Sequence, residues 1–299
     1  MVVNVVDIRA AIVRPGPGRA LRRLFFNIFG WALCTLAFLL LGGAMLWILI
    51  LVFERGLAAI SIEVLTHVTE GTGGGLLNAI EGTAVLAFGG VILAVPPGLA
   101  AGIYLAEFSD GHLAPVIRFL TDVLVGVPSI VIGYFGYVTL VADLGWDFSV
   151  AAGSIALAII SLPYVSRTSE LAIRQVPHAL REAGFALGAT PGKVIMRICL
   201  PMAMPGILTG VLLALAISVG ETAPLLYTAG WSNYMWNGRL THAPIGYLTY
   251  AIWAFITEPF EGAHALAYAA AFFVTVFVLI ISVLARMVLY RRAGWGQSR

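Results

Sequence analysis

The sequence predicts an all-α protein, a polytopic membrane helix bundle of six transmembrane helices. Three observations carry that expectation. Sixty per cent of the 299 residues are hydrophobic and only 11% are charged. Several apolar runs exceed the roughly eighteen residues needed to cross a hydrocarbon core about 30 Å thick. No strand-length segments of alternating character separated by turns occur, so helices rather than a closed barrel must satisfy the backbone polar groups in lipid.

Arg9, Arg14, Arg19, Arg22 and Arg23 precede the first apolar run, Phe29–Phe53. That run is much longer than the core of a cleavable leader, so residues 29–53 read as a retained first span behind a basic cytoplasmic segment, residues 1–28. Further spans are expected at about Thr83–Ala106, Phe119–Val141, Phe148–Tyr164, Met202–Leu226 and Ala263–Met287. Ile245–Ile256 is too short to cross and suits an interfacial or re-entrant segment. The second span contains Pro96 and Pro97, the third contains Pro128, and the fourth is expected to end at Pro163. Prolines remove backbone donors, and such interruptions favour a transport path over an anchor, the alternative being kinks that only improve packing.

Placing the amino terminus inside puts all of the 17 basic residues except Arg55 and Arg239 on one side of the membrane. The positive-inside rule then makes both termini cytoplasmic, including the tail at 291–299. Cys34 and Cys199 lie far apart without ligand spacing and read as packing residues. The five histidines show no metal spacing either, so no metal site is expected. Trp231, Tyr234, Trp236, Tyr247, Tyr250 and Trp253 crowd the external loop between the last two spans. They fit an interfacial belt, with a docking surface as the alternative.

Between the fourth and fifth spans stands LREAGFALGATPGKVIMRICLP, Leu180 to Pro201, too polar and turn-rich for lipid. Arg174 to Leu187 is expected to form a helix with Ala179, Ala183 and Ala186 on one side, near the spacing of a contact face. Gly188 stops it, and a second short helix follows from Lys193. Small side chains there let another protein's backbone approach closely. Gly188 to Lys193 is not a phosphate-cradling loop: its glycines are too close, Val194 follows the lysine, and a helix rather than a strand precedes it.

The pattern Glu182-Ala183-Gly184, three residues, Gly188, nine residues, Ile198-Cys199-Leu200-Pro201 resembles the EAA loop of ABC-importer permeases. Every spacing agrees, and Gly184 in place of the second alanine is the one departure. The resemblance implies that Glu182, Ala183, Gly184, Gly188, Ile198, Leu200 and Pro201 form a coupling loop, about residues 170–201, that docks into a cytoplasmic ATPase. Further stretches, Pro97 to Glu107, Gly126 to Val131 and Gly220 to Ala229 (GETAPLLYTA), look like the phosphate-specific permeases of the PstA type. That likeness implies a type I ABC importer (MetI-like) permease fold over about residues 76–290, in the plasma membrane of a prokaryote. It further implies that inorganic phosphate is the cargo, with a PstC-type second permease, two PstB-type ATPases and an external PstS-type binding protein as partners. By the same likeness, ATP and magnesium belong to the ATPases, no cofactor binds this chain, membrane lipid surrounds it, and no nucleic acid is involved.

Glu81, Asp122 and Glu221 lie in or near spans, where an ionised carboxylate is costly unless paired or hydrated. Glu221, with Thr222 beside it and Pro224 breaking the helix after it, is a candidate for the translocation path or its gate. Its role there would be indirect, because a carboxylate repels phosphate; the alternative is a helix-break carboxylate satisfied by local amides. Similar permeases carry an arginine four residues before this glutamate, where this chain has Ile217. Cationic help must then come from the partner permease, from backbone donors, or from Arg118, Arg167 and Arg174, which otherwise serve as membrane-side anchors. Three other classes compete: an ABC permease for another oxyanion or small solute, an independent secondary transporter, and an intramembrane enzyme. Internal duplication and catalytic motifs, which the last two would call for, are missing from the sequence.

Overall fold

The computed structural model describes residues 17–109 and 111–293, so Arg9, Arg14 and Arg299 lie outside the described residues. The chain divides into two units, Met1–Glu54 and Arg55–Arg299. The first holds most of α1 (Pro17–Ala59), in which the most apolar 18-residue window of Leu21–Ala59 has a mean hydropathy of 2.7. Helix α1 starts well before Phe29, and Pro17 stands at its first position, where the missing N–H is no loss.

The second unit opens with α2 (Ile62–Thr66), capped by the Ser61 hydroxyl, which accepts from the Val64 amide. A two-stranded antiparallel ribbon follows, β1 (Thr69–Glu70) against β2 (Gly73–Gly74). Helix α3 (Leu77–Glu107) then runs unbroken through Pro96 and Pro97. Helices α4 (Leu113–Gly126) and α5 (Ser129–Gly136), the latter extended by a π-helical stretch at Tyr137–Asp143, are bent by 99°. The bend has a local cause: Pro128 disfavours a helical residue before it, and Val127 is extended, with ψ 126°.

Helix α6 (Val150–Arg174) carries Pro163 in its interior. The expectation of a span ending at Pro163 is therefore corrected: one missing amide does not end a helix whose side is held by neighbours, and the stop comes after Arg174. Likewise, the expected helix from Arg174 to Leu187 begins only at His178, because Pro177 holds the entry extended, with ψ 135°. This is α7 (His178–Ala186). Helix α8 (Pro191–Val194) and a π-helical stretch at Ile195–Cys199 lead into α9 (Leu200–Gly220), which stops before Glu221 rather than running to Leu226. Short α10 (Ala223–Thr228) and α11 (Leu248–Phe255) precede the last long helix, α12 (Glu261–Ala293). Among the described residues five helices are long and apolar enough to cross a membrane, and the bent pair makes a sixth span if counted as one.

The core is organised by α3 and α6, which run parallel. Gly90, Ala94, Gly98 and Gly102 recur every fourth residue on the buried side of α3. A Cβ at Gly90 would stand 2.7 Å from Leu157 Cβ, one at Gly98 2.9 Å from Val165 Cβ, and one at Gly102 2.5 Å from Ser169 Cβ. Without lipid-independent hydrophobic drive, membrane helices associate through such close backbone approach. Helix α9 lies antiparallel to this pair, bringing Ser218 and Ser161 within 3.0 Å, and Val91, Val165 and Ala214 close the junction. Leu76, Leu248, Phe255 and the alanine-rich start of α12 form a second cluster near the opposite end.

Candidate functional site

Two sites emerge, one at each end of the α3–α6 pair. At the basic end, α7 projects beyond the bundle. Its C-terminus is closed by Gly188, whose φ of +77° suits a residue without a Cβ. The Gly188 amide donates to the Phe185 carbonyl at 2.9 Å, and the Ala189 amide to Gly184 at 3.1 Å. Glu182, Ala183 and Ala186 are exposed, and Leu187, at 89% exposure, caps the projecting tip. Gly184 alone on α7 is buried. A Cβ there would lie 2.7 Å from Ile198 Cδ1 and 3.1 Å from Val194 Cγ2, so the two ends of the motif meet face to face. Leu200 is half-buried and Pro201 exposed, at the start of α9.

Beneath α7 the charges are paired. Arg181 Nη1 donates to Glu107 Oε2 at 3.0 Å and contacts Oε1 at 2.9 Å as an ion pair. Its Nη2 donates to the Ile173 carbonyl at 2.7 Å. Arg118 and Arg174 each reach Glu170 Oε1 at 3.0 Å, and Arg174 also donates to the Leu105 carbonyl at 2.9 Å. Glu170 is buried, so two guanidinium groups supply the compensation that a desolvated carboxylate requires. Arg167 pairs with Asp122, joining α6 to α4. The structure thus places Arg118, Arg167 and Arg174 in intramolecular ion pairs that tie α6 to α4 and to the end of α3.

At the opposite end, Glu221 sits half-buried between α9 and α10, with the Ser129 side chain near its carboxylate. Its carbonyl accepts from Thr249 Oγ1 at 2.7 Å, which fixes α11 to the break. The Leu248 amide donates to Thr83 Oγ1 at 2.8 Å, fixing α11 to α3 as well. Helices α5 and α10 lie side by side, with Pro224 near the start of α10 facing Gly133 one turn into α5. A Cβ at Gly133 would stand 2.5 Å from Pro224 Cα, and one at Gly136 2.8 Å from Thr228 Cγ2. Thr222 flanks the break, and its carbonyl accepts the Leu225 amide at 3.1 Å. The Gly126–Val131 and Gly220–Ala229 stretches, far apart in sequence, form one structure of two interrupted helices around one carboxylate.

Glu81 serves elsewhere: its Oε2 accepts the Trp236 amide at 3.1 Å. With Asn78, whose amide donates to the Ser232 carbonyl at 2.8 Å, it ties down the aromatic loop. Within that loop Trp231 stacks on Tyr250 at 4.7 Å between centroids, and Tyr247 is fully buried. Part of the aromatic set is therefore internal packing rather than an interfacial belt. Among the described residues no three His, Cys, Asp or Glu side chains converge as a metal site.

Sequence reasoning missed Glu107, Arg181, Glu170 and Ser129 as partners. The four-residue repeat of small residues on α3 was the readable signal that α3 has a close helical neighbour. The ion pairs that join different helices, 45, 52 and 74 positions apart, left none, and only Glu170–Arg174, at the i,i+4 spacing on α6, was readable.

The family described as binding-protein-dependent transport system inner membrane component matches residues 98–293. The phosphate transport system permease protein PstA 2 of Mycobacterium bovis is 44% identical over 278 residues, covering 93% of this chain and 92% of that protein. The PstA protein of Yersinia pestis is 41% identical over 252 residues, covering 83% and 84%. An inward-facing structure of the MetNI methionine ABC transporter shares the fold, with a TM-score of 0.60 at 19% identity over 72% of this chain and 95% of that one.

Proposed function

Because the chain belongs to the inner membrane components of binding-protein-dependent transport systems, we propose that it is the permease subunit through which an ATP-driven importer moves inorganic phosphate across the plasma membrane. The similarity to phosphate permeases along nearly the whole chain carries this reading. The basic end faces the cytoplasm, in keeping with the distribution of arginines, and both chain termini lie there. Helix α7 is the coupling helix: Glu182, Ala183, Ala186 and Leu187 enter a cleft of the ATPase, and Gly184, Ile198, Leu200 and Pro201 form the base that carries the push into α9.

Two ATPase subunits bind and hydrolyse ATP with magnesium, a second permease completes the pathway, and an external binding protein delivers phosphate to the end that bears the aromatic loop. This chain carries out no chemical reaction. Arg118, Arg167 and Arg174 act as clamps at the cytoplasmic mouth, and phosphate meets backbone donors and the partner permease's cations deeper in. Glu221, Thr222 and Pro224 belong to the gate, where α5 and α10 move as a pair.

The test is uptake of radiolabelled phosphate by cells carrying this gene with its partners, against competing sulfate, molybdate and arsenate. Phosphate uptake that needs the ATPase and is displaced only by arsenate supports the assignment. Preferential displacement by sulfate or molybdate would move the cargo to another oxyanion. Uptake that persists without the ATPase would end the importer reading.

A further inference from the structure

The projecting helix α7 touches the bundle through few groups, and one of them joins four helices at a single point. Glu107 is the last residue of α3, and Arg181 reaches it from α7 with both side chains only 14% exposed. The same guanidinium holds the Ile173 carbonyl, one residue from the end of α6. The buried Cys199 side chain, at the threshold of α9, lies close to the same Glu107 and Arg181 groups. A nearly dry guanidinium that holds two helices at once, Nη1 on the Glu107 carboxylate and Nη2 on the Ile173 carbonyl, is stiff, because its planar fork fixes orientation as well as distance. The other contacts of α7 are softer. Gly184 meets the terminal methyl of Ile198 and a methyl of Val194, and such apolar contacts slide.

We propose that Arg181 and Glu107 are positioning residues that transmit the displacement of α7 to the α3–α6 pair and to the root of α9. This rests on the reading of α7 as the coupling helix and adds to it the inward contact through which the push passes. Glu182, the next residue, is exposed to the ATPase while Arg181 faces inward, so neighbouring residues divide docking from transmission. Without the pair, α7 would still dock and the ATPase would still cycle, but α7 would rock against the bundle instead of driving it.

The experiment uses the whole transporter, purified with its ATPase and second permease and reconstituted in liposomes with the external binding protein. Radiolabelled phosphate uptake and ATP hydrolysis are measured in the same vesicles. Glu107→Gln keeps the size of the side chain and removes its charge. Uptake per ATP is expected to fall about tenfold, the order expected from losing a charge-assisted hydrogen bond, while hydrolysis continues. Arg181→Lys keeps the charge but cannot hold the carboxylate and the Ile173 carbonyl together, and an intermediate ratio is expected. An unchanged ratio in both variants, or uptake and hydrolysis falling in proportion, overturns the proposal and leaves the pair merely structural. Cross-linking from Ala183→Cys to the ATPase separates the two levels. Cross-links with an unchanged ratio defeat only the transmission role, whereas no cross-link in an otherwise unaltered transporter defeats the docking reading and this proposal with it.

Discussion

The basic end of α3 and α6 and the region around Glu221 solve the problem of polar groups in a membrane protein by opposite means. Near Arg181 the charges are numerous and nearly all paired: Glu107 with Arg181, Glu170 with Arg118 and Arg174, Asp122 with Arg167. The helices there are continuous, and small residues at every fourth position of α3 let them approach closely. Around Glu221 the helices are interrupted, one carboxylate lies beside a serine, and α5 and α10 touch through Gly133 against the Pro224 backbone and Gly136 against Thr228. The first region resists deformation, and the second has interruptions on which two short helices can turn. A transporter driven from one end needs both, a stiff member to carry the load and a yielding one to open.

Substitutions can break or sharpen that contrast. Gly102→Leu has the largest expected effect, because a side chain there meets Ser169 Cβ at 2.5 Å and the Ser166 carbonyl at 2.8 Å. A loss of about 3 kcal/mol is expected, visible as a lower melting temperature in detergent and a smaller monodisperse fraction. Unchanged stability would show that α3 and α6 are not a rigid pair. Gly133→Ala comes next. Its methyl group presses on Pro224, and a strain of about 1–2 kcal/mol on the moving pair should lower phosphate uptake on the order of tenfold while the melting temperature falls by only about 2–6 °C. A stability loss like that of Gly102→Leu would erase the distinction between the two regions.

Glu221→Gln keeps the shape but removes the charge at the helix break, and uptake should fall about fivefold, since a charged acceptor is worth roughly 1 kcal/mol more than a neutral one. Full uptake at normal expression would leave Glu221 as a locally satisfied carboxylate at a helix break. Gly184→Ala has the smallest effect. The gain in helix propensity is about 1 kcal/mol, it is offset by rotation of the Ile198 terminal methyl, and thermal unfolding should shift by no more than about 2 °C.

The sequence made the spans, the positive face and the spacing of the Glu182–Pro201 motif readable, because each depends on local composition or on separations within one segment. The halt at Gly188 was readable for the same reason. What was hidden depends on neighbours. Pro163 looks like an end and is not one, because α3 holds α6 on both sides of it. Pro128 looks like a kink and is a bend of 99°, because α5 leaves to lie against α10. Arg118 and Arg167 look like free cations, and their partners Glu170 and Asp122 are found only once α4 and α6 are folded together, whereas Glu170 and Arg174 pair four residues apart within α6. Gly184, a mere departure in the motif, acquires its meaning from Ile198 across the turn.

The inward Arg181 and outward Glu182 also fix something that no single side chain records, the angular phase of α7. Each added residue turns a helix by about 100°, so one extra residue between Pro177 and Arg181 would swing the guanidinium away from Glu107 and rotate the alanines off the surface they present. The length of that short lead-in is therefore as strictly set as the motif itself, and natural variants should tolerate changes of letter there far better than changes of count.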